Sequence, residues 1–504
     1  MPLSSSSESS HLLSLLIFSP LACAAVAAAL RSERALRWWT LLATTVIALV
    51  SLQLWTGFNP KLAGFQFQEN VAWFQISGLK IAYALGLDGI SLLLVLLTTL
   101  IAPLCVLASW SYIKTRLKEF MLCLLVMESA MIGVFCALDG ILFFLFWEAM
   151  LIPMALLIGV WGGPRKIYAS IKFFVYTMAG SVFLLVALVA LAYKTGSFSI
   201  PGMMGQKFTA GFQLWVFAAF FISFAIKVPM FPFHTWLPAA HVEAPTAGSV
   251  ILASILLKMG TYGFLRFSLP ITPYAAHYFA PAILWLSVVA ILYGGFAALA
   301  QTDLKKLVAY SSVGHMGFAT LGIFALNAHG VEGATLVMIN HGITTGALFI
   351  MVGMIYERLH SRDLNLAAGL GQRLPVLAGF LGVFCLSSLA FPGTNSFIGE
   401  FLVLAGGFQI SKIVIACAVP GVIASAAYNF RMLQRVAYGG TQNPDHSGHA
   451  DLNFREIVTL VPLLIGVLWI GLHPQPLMDV MQTSVQTLLQ QASAAAAQAS
   501  VVLP

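Results

Sequence analysis

Residues Phe217–Gly260 read FAAFFISFAIKVPMFPFHTWLPAAHVEAPTAGSVILASILLKMG, and they place two lysines, Lys227 and Lys258, deep inside apolar runs. Lys227 is followed at once by Pro229 and Pro232. Each proline removes a backbone N–H and obstructs the carbonyl one turn back, so a helix carrying Lys227 is predicted to break there. A charge at bilayer depth costs several kcal/mol and persists mainly where partners or water receive it. The alternative is a lysine near an interface whose stem snorkels outward. Lys227 lies about ten residues into its run and Lys258 about a dozen into the next, too deep for easy snorkelling.

Outward from that stretch the chain stays apolar. Its 504 residues are 60% hydrophobic and 9% charged, with a mean hydropathy of +0.91, which excludes an ordinary soluble protein. The net charge of +7 comes from lysines and arginines spread over short loops. That spread suits membrane topology and not nucleic acid, for which a basic tract would be wanted. Six cysteines (Cys23, Cys105, Cys123, Cys136, Cys385, Cys417) sit in apolar segments without metal-ligand spacing and read as small buried hydrophobes. The start, MPLSSSSESSH, has no basic residue before the run Leu12–Leu30, so that run reads as a retained first helix and not a cleaved signal.

Runs of about 20 residues, long enough to cross a bilayer, fall at 11–30, 38–57, 88–110, 119–138, 140–161, 171–193, 212–238, 246–268, 277–300, 306–326, 332–356, 375–405, 412–434 and 456–473. These are fourteen spans of an all-α polytopic membrane protein. Alternate loops carry Arg31, Arg34, Arg37; Lys114, Arg116, Lys118; Arg165, Lys166; Lys305, Lys306; Arg358, Arg362, Arg373; Arg435 and Arg455. The opposite loops hold only Lys61, Lys80, Lys194, Lys207 and Lys412. The bias predicts both termini on the outer face, and the even span count agrees. The polar insertions are 58–87, 195–211 and 438–455. The first alternates as FQFQ and WFQIS, predicting a short hairpin on the outer face. The tail QASAAAAQAS is expected to fray.

A second broken span is expected at 375–405, interrupted by Pro392-Gly393 with Glu400 in its second half. Paired interrupted helices point to internal repetition and a site at mid-depth. The organisation predicted is N-terminal helices 1–3 (1–118), a first five-helix unit of spans 4–8 (119–268), an inverted second unit of spans 9–13 (277–434), and a C-terminal helix and tail (456–504). The breaks fall in spans 7 and 12.

Further ionisable groups lie inside spans. Glu148 in FFLFWEAMLIP could remain charged if it faces Lys227, or sit protonated against a carbonyl. His315 in AYSSVGHMGF and His341 in MINHGITTG lie among small residues; a lone histidine in a helix is usually a packing residue, but two of them between Lys258 and Glu400, with the hydroxyls of Ser311, Ser312, Thr344 and Thr345 able to order water, put a proton relay on an equal footing. Glu128 has no evident partner, while Asp139, Asp303 and Lys305 read as interfacial. His234 and His241 flank a TWLP turn, lining an entrance or simply solvated in a loop. A charge pair at about 4 Å in an effective dielectric of about 20 is worth about 4 kcal/mol, enough to load and discharge a proton without covalent chemistry.

IKVPMFPFHTWLPAAHVEAPTAGSVILASILLKMG, AQTDLKKLVAYSSVGHMGF and FWEAMLIPM resemble the proton-pumping, antiporter-like membrane subunits of respiratory complex I (NADH-quinone oxidoreductase) over nearly the whole chain. Glu400 in FPGTNSFIGEF, where related subunits and the multisubunit sodium/proton antiporters usually carry lysine, makes the chain M type nearest. The resemblance implies proton translocation coupled to quinone reduction elsewhere in the complex. By it, Glu148 and Lys227 are the input ion pair, Lys258 the central relay, His315 and His341 the connectors and Glu400 the output. It further implies no cofactor bound by this chain, with NADH, FMN, Fe–S clusters and quinone held by partner subunits. The partners are other membrane-arm subunits, including two antiporter-like sisters, in the lipid bilayer of a bacterial inner membrane, with the termini periplasmic. LPAAH, with Ala239 and Ala240, departs from the family's frequent LPDAH and removes any role for that loop acid. The alternatives are a subunit of a sodium/proton antiporter or of a ferredoxin- or hydrogenase-linked complex, and a non-pumping scaffold. The mid-membrane acids are too few and scattered for a sodium site, and the intact charged set argues against a scaffold.

Overall fold

The structure, a computed structural model, describes residues 11–76, 78–439 and 450–500, with side chains to residue 493. Most of the serine-rich leader and of the 438–455 insertion lie outside them. In chain order α1 (Leu12–Ala29) and α2 (Glu33–Gly57) precede an antiparallel hairpin of β1 (Gln66–Ile76) and β2 (Leu79–Leu87). Then come α3 (Gly89–Ala108), α4 (Leu117–Cys136), α5 (Gly140–Ala149), α6 (Leu151–Trp161), α7 (Lys166–Thr195), the short α8 (Ile200–Met203) and α9 (Ala210–Lys227). After the first break follow α10 (Trp236–Glu243), α11 (Thr246–Ile251), α12 (Leu257–Gly263) and α13 (Leu269–Ile271). The second half contains α14 (Pro273–Leu299), α15 (Leu304–Phe324), α16 (Ala328–Leu359), α17 (Pro375–Ser388), α18 (Asn395–Ile410) and α19 (Lys412–Tyr438), and the chain closes with α20 (Phe454–Leu472) and α21 (Gln475–Ser500).

Among the described residues thirteen helices are long and apolar enough to cross a membrane. The difference from the expected fourteen lies at 375–405. Pro392 and Gly393 divide that run into α17 and α18, each too short to span alone, and Gly393 takes the left-handed conformation at φ +89° that glycine adopts without strain. The span at 140–161 is also interrupted, at Met150, because Pro153 cannot donate to the carbonyl of Ala149.

Polar residues at the helix starts are caps. Asp88 accepts from Ser91 N, Asp139 from Ile141 and Leu142 N, Asp303 from Lys306 N and Asn327 from Gly330 N, each satisfying amides a helix start leaves open. The hairpin is tied down in the same way. Glu69 accepts from the Leu13 and Ser14 amides at 3.0 and 3.1 Å, capping α1.

α16 is buried around its whole circumference from Gly330 to Ile355, and Thr246–Ile271 is likewise enclosed. α7 is one-sided, with Ile171, Val175, Val182 and Val186 exposed, the pattern of a helix facing lipid or a neighbouring apolar surface. The central helices therefore hold the polar groups, and the peripheral ones shield them.

The tail corrects one expectation. Instead of fraying, it continues α21 as a helix to Ser500, in keeping with alanine's high helix propensity. Leu477, Met481, Val485, Leu488 and Ala492 are buried on one face of α21. Ser484 Oγ accepts from Gly89 N at 2.8 Å, and any Cβ on Gly89 would collide with the Val480 carbonyl.

Candidate functional site

The first break is built as its prolines dictate. α9 ends on Lys227, and Met230 N donates to Ala225 O at 2.7 Å, which leaves the Ile226 carbonyl without its usual donor. Trp236 Nε1 fills that role at 2.8 Å. The Lys227 ammonium, at the negative end of the α9 dipole, sits 4.9 Å over the ring of Trp147, a cation–π contact worth about 2 kcal/mol when desolvated. Glu148, half-buried beside Trp147, makes no ion pair with Lys227 within 4.0 Å among the described residues. The structure brings these two residues to one aromatic neighbourhood without direct contact.

Lys258 is fully buried on α12, between two stretches of wide π-helical turns, Leu252–Leu256 and Phe264–Ser268. Such turns recur where a helix makes room for function. Its Nζ donates to the Ala253 carbonyl of the preceding wide turn and lies 2.6 Å from His341 Nδ1. Small residues permit this approach. A Cβ on Gly346 would come within 2.6 Å of Ser254 Oγ, and one on Gly342 within 3.0 Å of Ser254 O.

The second break closes on the same region. His315 Nδ1 stands 2.9 Å from Glu400 Oε1 on α18, while its Nε2 lies 3.1 Å from Tyr428 OH and 3.5 Å from Ser388 Oγ. α18 reaches α16 through glycine, for a Cβ on Gly399 would sit 2.9 Å from Val337 N. The rings of His315 and His341 are 5.8 Å apart between centroids. Between them lies a cavity lined by Asn340, Thr344, Thr345, Ser388, Ser396 and Glu400, of about 10 Å³, the room one water needs. His341 Nε2 and Asn340 Oδ1 have no protein partner among the described residues and are free to bond water.

Four of the six expected residues, Lys258, His341, His315 and Glu400, thus form one connected set. Ser311 and Ser312 both turn back to the Val308 carbonyl, and the Ser311 hydroxyl also meets that of Tyr428. Tyr428, Ser388 and Asn340 were not singled out in the sequence; a tyrosine-asparagine pair inside the apolar run 412–434 was the available signal. His234 and His241 are not solvated loop residues. TWLP begins α10, His241 is fully buried and stacked on Phe349 at 4.4 Å, and His234 packs on Phe231. Glu128 is fully buried, and neither carboxyl oxygen has a hydrogen-bond partner among the described residues.

A family model described as "NADH:quinone oxidoreductase/Mrp antiporter, TM" matches residues 137–426, and one described as "NADH-ubiquinone oxidoreductase chain 4, amino terminus" matches residues 14–134. NADH-quinone oxidoreductase subunit M of Rhodobacter capsulatus is 48% identical over 95% of this chain and 96% of that protein. NADH-ubiquinone oxidoreductase chain 4 of Marchantia polymorpha is 44% identical over 91% of this chain and 92% of that protein. In structure, a chain of respiratory complex I from Thermus thermophilus superposes with a TM-score of 0.86 at 29% identity, covering 97% of this chain and 99% of that one. With its two interrupted helices and buried line of ionisable groups, the chain belongs to the subunit M (chain 4) family, the antiporter-like membrane subunits of complex I.

Proposed function

We propose that this chain, as a proton-translocating membrane subunit of NADH-quinone oxidoreductase, carries protons along Lys258, His341, His315 and Glu400. One observation carries the reading: Lys258 lies 2.6 Å from His341, His315 lies 2.9 Å from Glu400, and a small polar cavity joins the two imidazoles. A proton leaving the Lys258 ammonium is taken by His341 Nδ1. His341 releases the proton on its Nε2 to water in the cavity, and His315 passes one on from Nδ1 to the Glu400 carboxylate. Each group gains and loses a proton in turn, as a relay requires.

Glu148 and Lys227 form the input side of this pathway. The two five-helix units, 119–268 and 277–434, supply one broken helix each in inverted sense, with both termini on the outer, periplasmic face of a bacterial inner membrane. NADH, FMN, Fe–S clusters and quinone are handled by partner subunits, and two antiporter-like sisters adjoin this one in the membrane arm. The exposed apolar stripes on the peripheral helices suit lipid and those neighbours.

The assembled complex in proteoliposomes tests the reading. Lys258→Ala is expected to cut proton transfer through this subunit by about a hundredfold, the low side of what a placed acid–base group contributes, and so to lower the protons moved per quinol by this subunit's share. Pumping at the unaltered ratio would refute the relay. Movement of sodium in place of protons would favour the sodium/proton antiporter alternative.

A further inference from the structure

Lys258 begins a row of residues that runs away from His341. One turn along from it come Tyr262 and then Arg266, on the same helical face, leading to the hairpin end of the bundle. The packing around Tyr262 is aromatic: Phe135 lies edge-on at 5.3 Å, Phe143 stacks at 6.5 Å, and Phe267 meets Phe143 at 4.7 Å. Past this layer the Arg266 side chain is buried. Its Nε donates to Tyr262 OH at 3.0 Å, and its Nη2 donates to Ser91 Oγ at 2.9 Å and pairs with Asp88 at 2.7 Å. Its guanidinium also lies 4.7 Å over the Phe65 ring. A cavity of about 50 Å³ adjoins the ion pair, reaching Gly64, Phe65, Met204 and, on α21, Ser484, Thr487 and Gln491. That is room for a few waters.

Space for water from the hairpin end therefore ends at Tyr262 and at the guanidinium that bonds its hydroxyl and ties it to Asp88. A guanidinium has no acceptor and does not deprotonate in proteins, so it cannot relay. Its fixed positive charge also repels an arriving proton, as arginines do in pores that exclude protons. Asp88 holds it in place, since a buried charge without its partner is strongly unfavourable. Among the described residues, no arginine lines the cavity of the second half: His315 and Glu400 share it with hydroxyls and amides.

We propose that Arg266 is the barrier that keeps protons on Lys258 from escaping at the hairpin end of the first half, and so directs them to His341. The inference rests on the relay reading above and adds its direction.

The test uses the purified complex in proteoliposomes, with the passive collapse of an imposed pH gradient measured in the absence of turnover. Protons pumped per quinol are measured alongside. Arg266→Met is expected to raise the passive leak by about tenfold and lower the pumped ratio while quinone reduction continues. Arg266→Lys, which keeps the charge, is expected to stay tight, and adding Lys258→Ala to Arg266→Met is expected to abolish the extra leak. An unchanged leak in Arg266→Met would overturn the proposal. So would an equal leak in Arg266→Lys, which would make packing the cause, or a leak that persists without Lys258. If Arg266→Met does not assemble, the paired variant Arg266→Gln with Asp88→Asn leaves no unpaired buried charge, and a tight membrane there overturns the proposal as well. Normal pumping in Lys258→Ala alone would sink the relay reading, which the leak measurement does not depend on.

Discussion

At the first break, after Lys227, the ammonium rests on the face of Trp147 and its helix end is finished by the indole of Trp236. At the second, before Glu400, the carboxylate meets His315 directly, and hydroxyls and amides crowd around the pair. Both breaks arise from proline in an apolar run, yet one is lined with rings and the other with hydrogen-bonding groups. An aromatic face stabilises a cation in place but offers no site to pass a proton on. A hydroxyl- and imidazole-lined cavity does offer such sites. In the proposed relay, this difference makes the first break the holder of charge and the second the mover of protons.

The comparison can be broken most severely at Glu400. Glu400→Gln keeps the volume and removes the proton acceptor beside His315, and proton transfer through this subunit is expected to fall by about a hundredfold, typical of losing a positioned acid–base group. Near-normal pumping in vesicles would equalise the two breaks. Glu148→Gln comes next. It is expected to cripple coupled activity with assembly intact, since one half-buried charge is neutralised at constant volume. Intact assembly with full pumping would leave the first break a purely structural device. Gly89→Val drives a side chain into the Val480 carbonyl and is expected to lift α21 from α3, destabilising the subunit by about 1–3 kcal/mol. Thermal denaturation of the complex and proteolysis of the tail would report it. The smallest effect is expected from Tyr428→Phe, which deletes one 3.1 Å hydrogen bond to His315, worth about 1 kcal/mol. A pumping rate lowered only a few-fold, with a displaced pH profile, would sharpen the polar character of the second break.

Much of the fold could be read along the chain because membrane helices announce themselves by length and apolarity, and breaks by proline. Pro229, Pro232 and Pro392 marked both interruptions. Pro153 marked a third, at Met150, that span counting passed over because the run stays apolar across it. The hairpin at 58–87 was legible from alternation. The helical tail was not, because QASAAAAQAS has the composition of a disordered segment. What organises it is the apolar stripe from Leu477 to Leu488 finding α3 and its neighbours.

The sequence alone determined that ionisable residues stand at mid-membrane and which ones they are, since a lysine, glutamate or histidine inside twenty apolar residues is costly enough to stand out. Which of them meet was decided only in three dimensions. Lys258 and His341 are far apart in the chain, as are His315 and Glu400, and their contacts depend on glycines that let α16 approach the wide turns and α18 approach α16. Linear spacing cannot register such approaches, because they are set by the absence of a Cβ on one helix and the atom that fills its place from another.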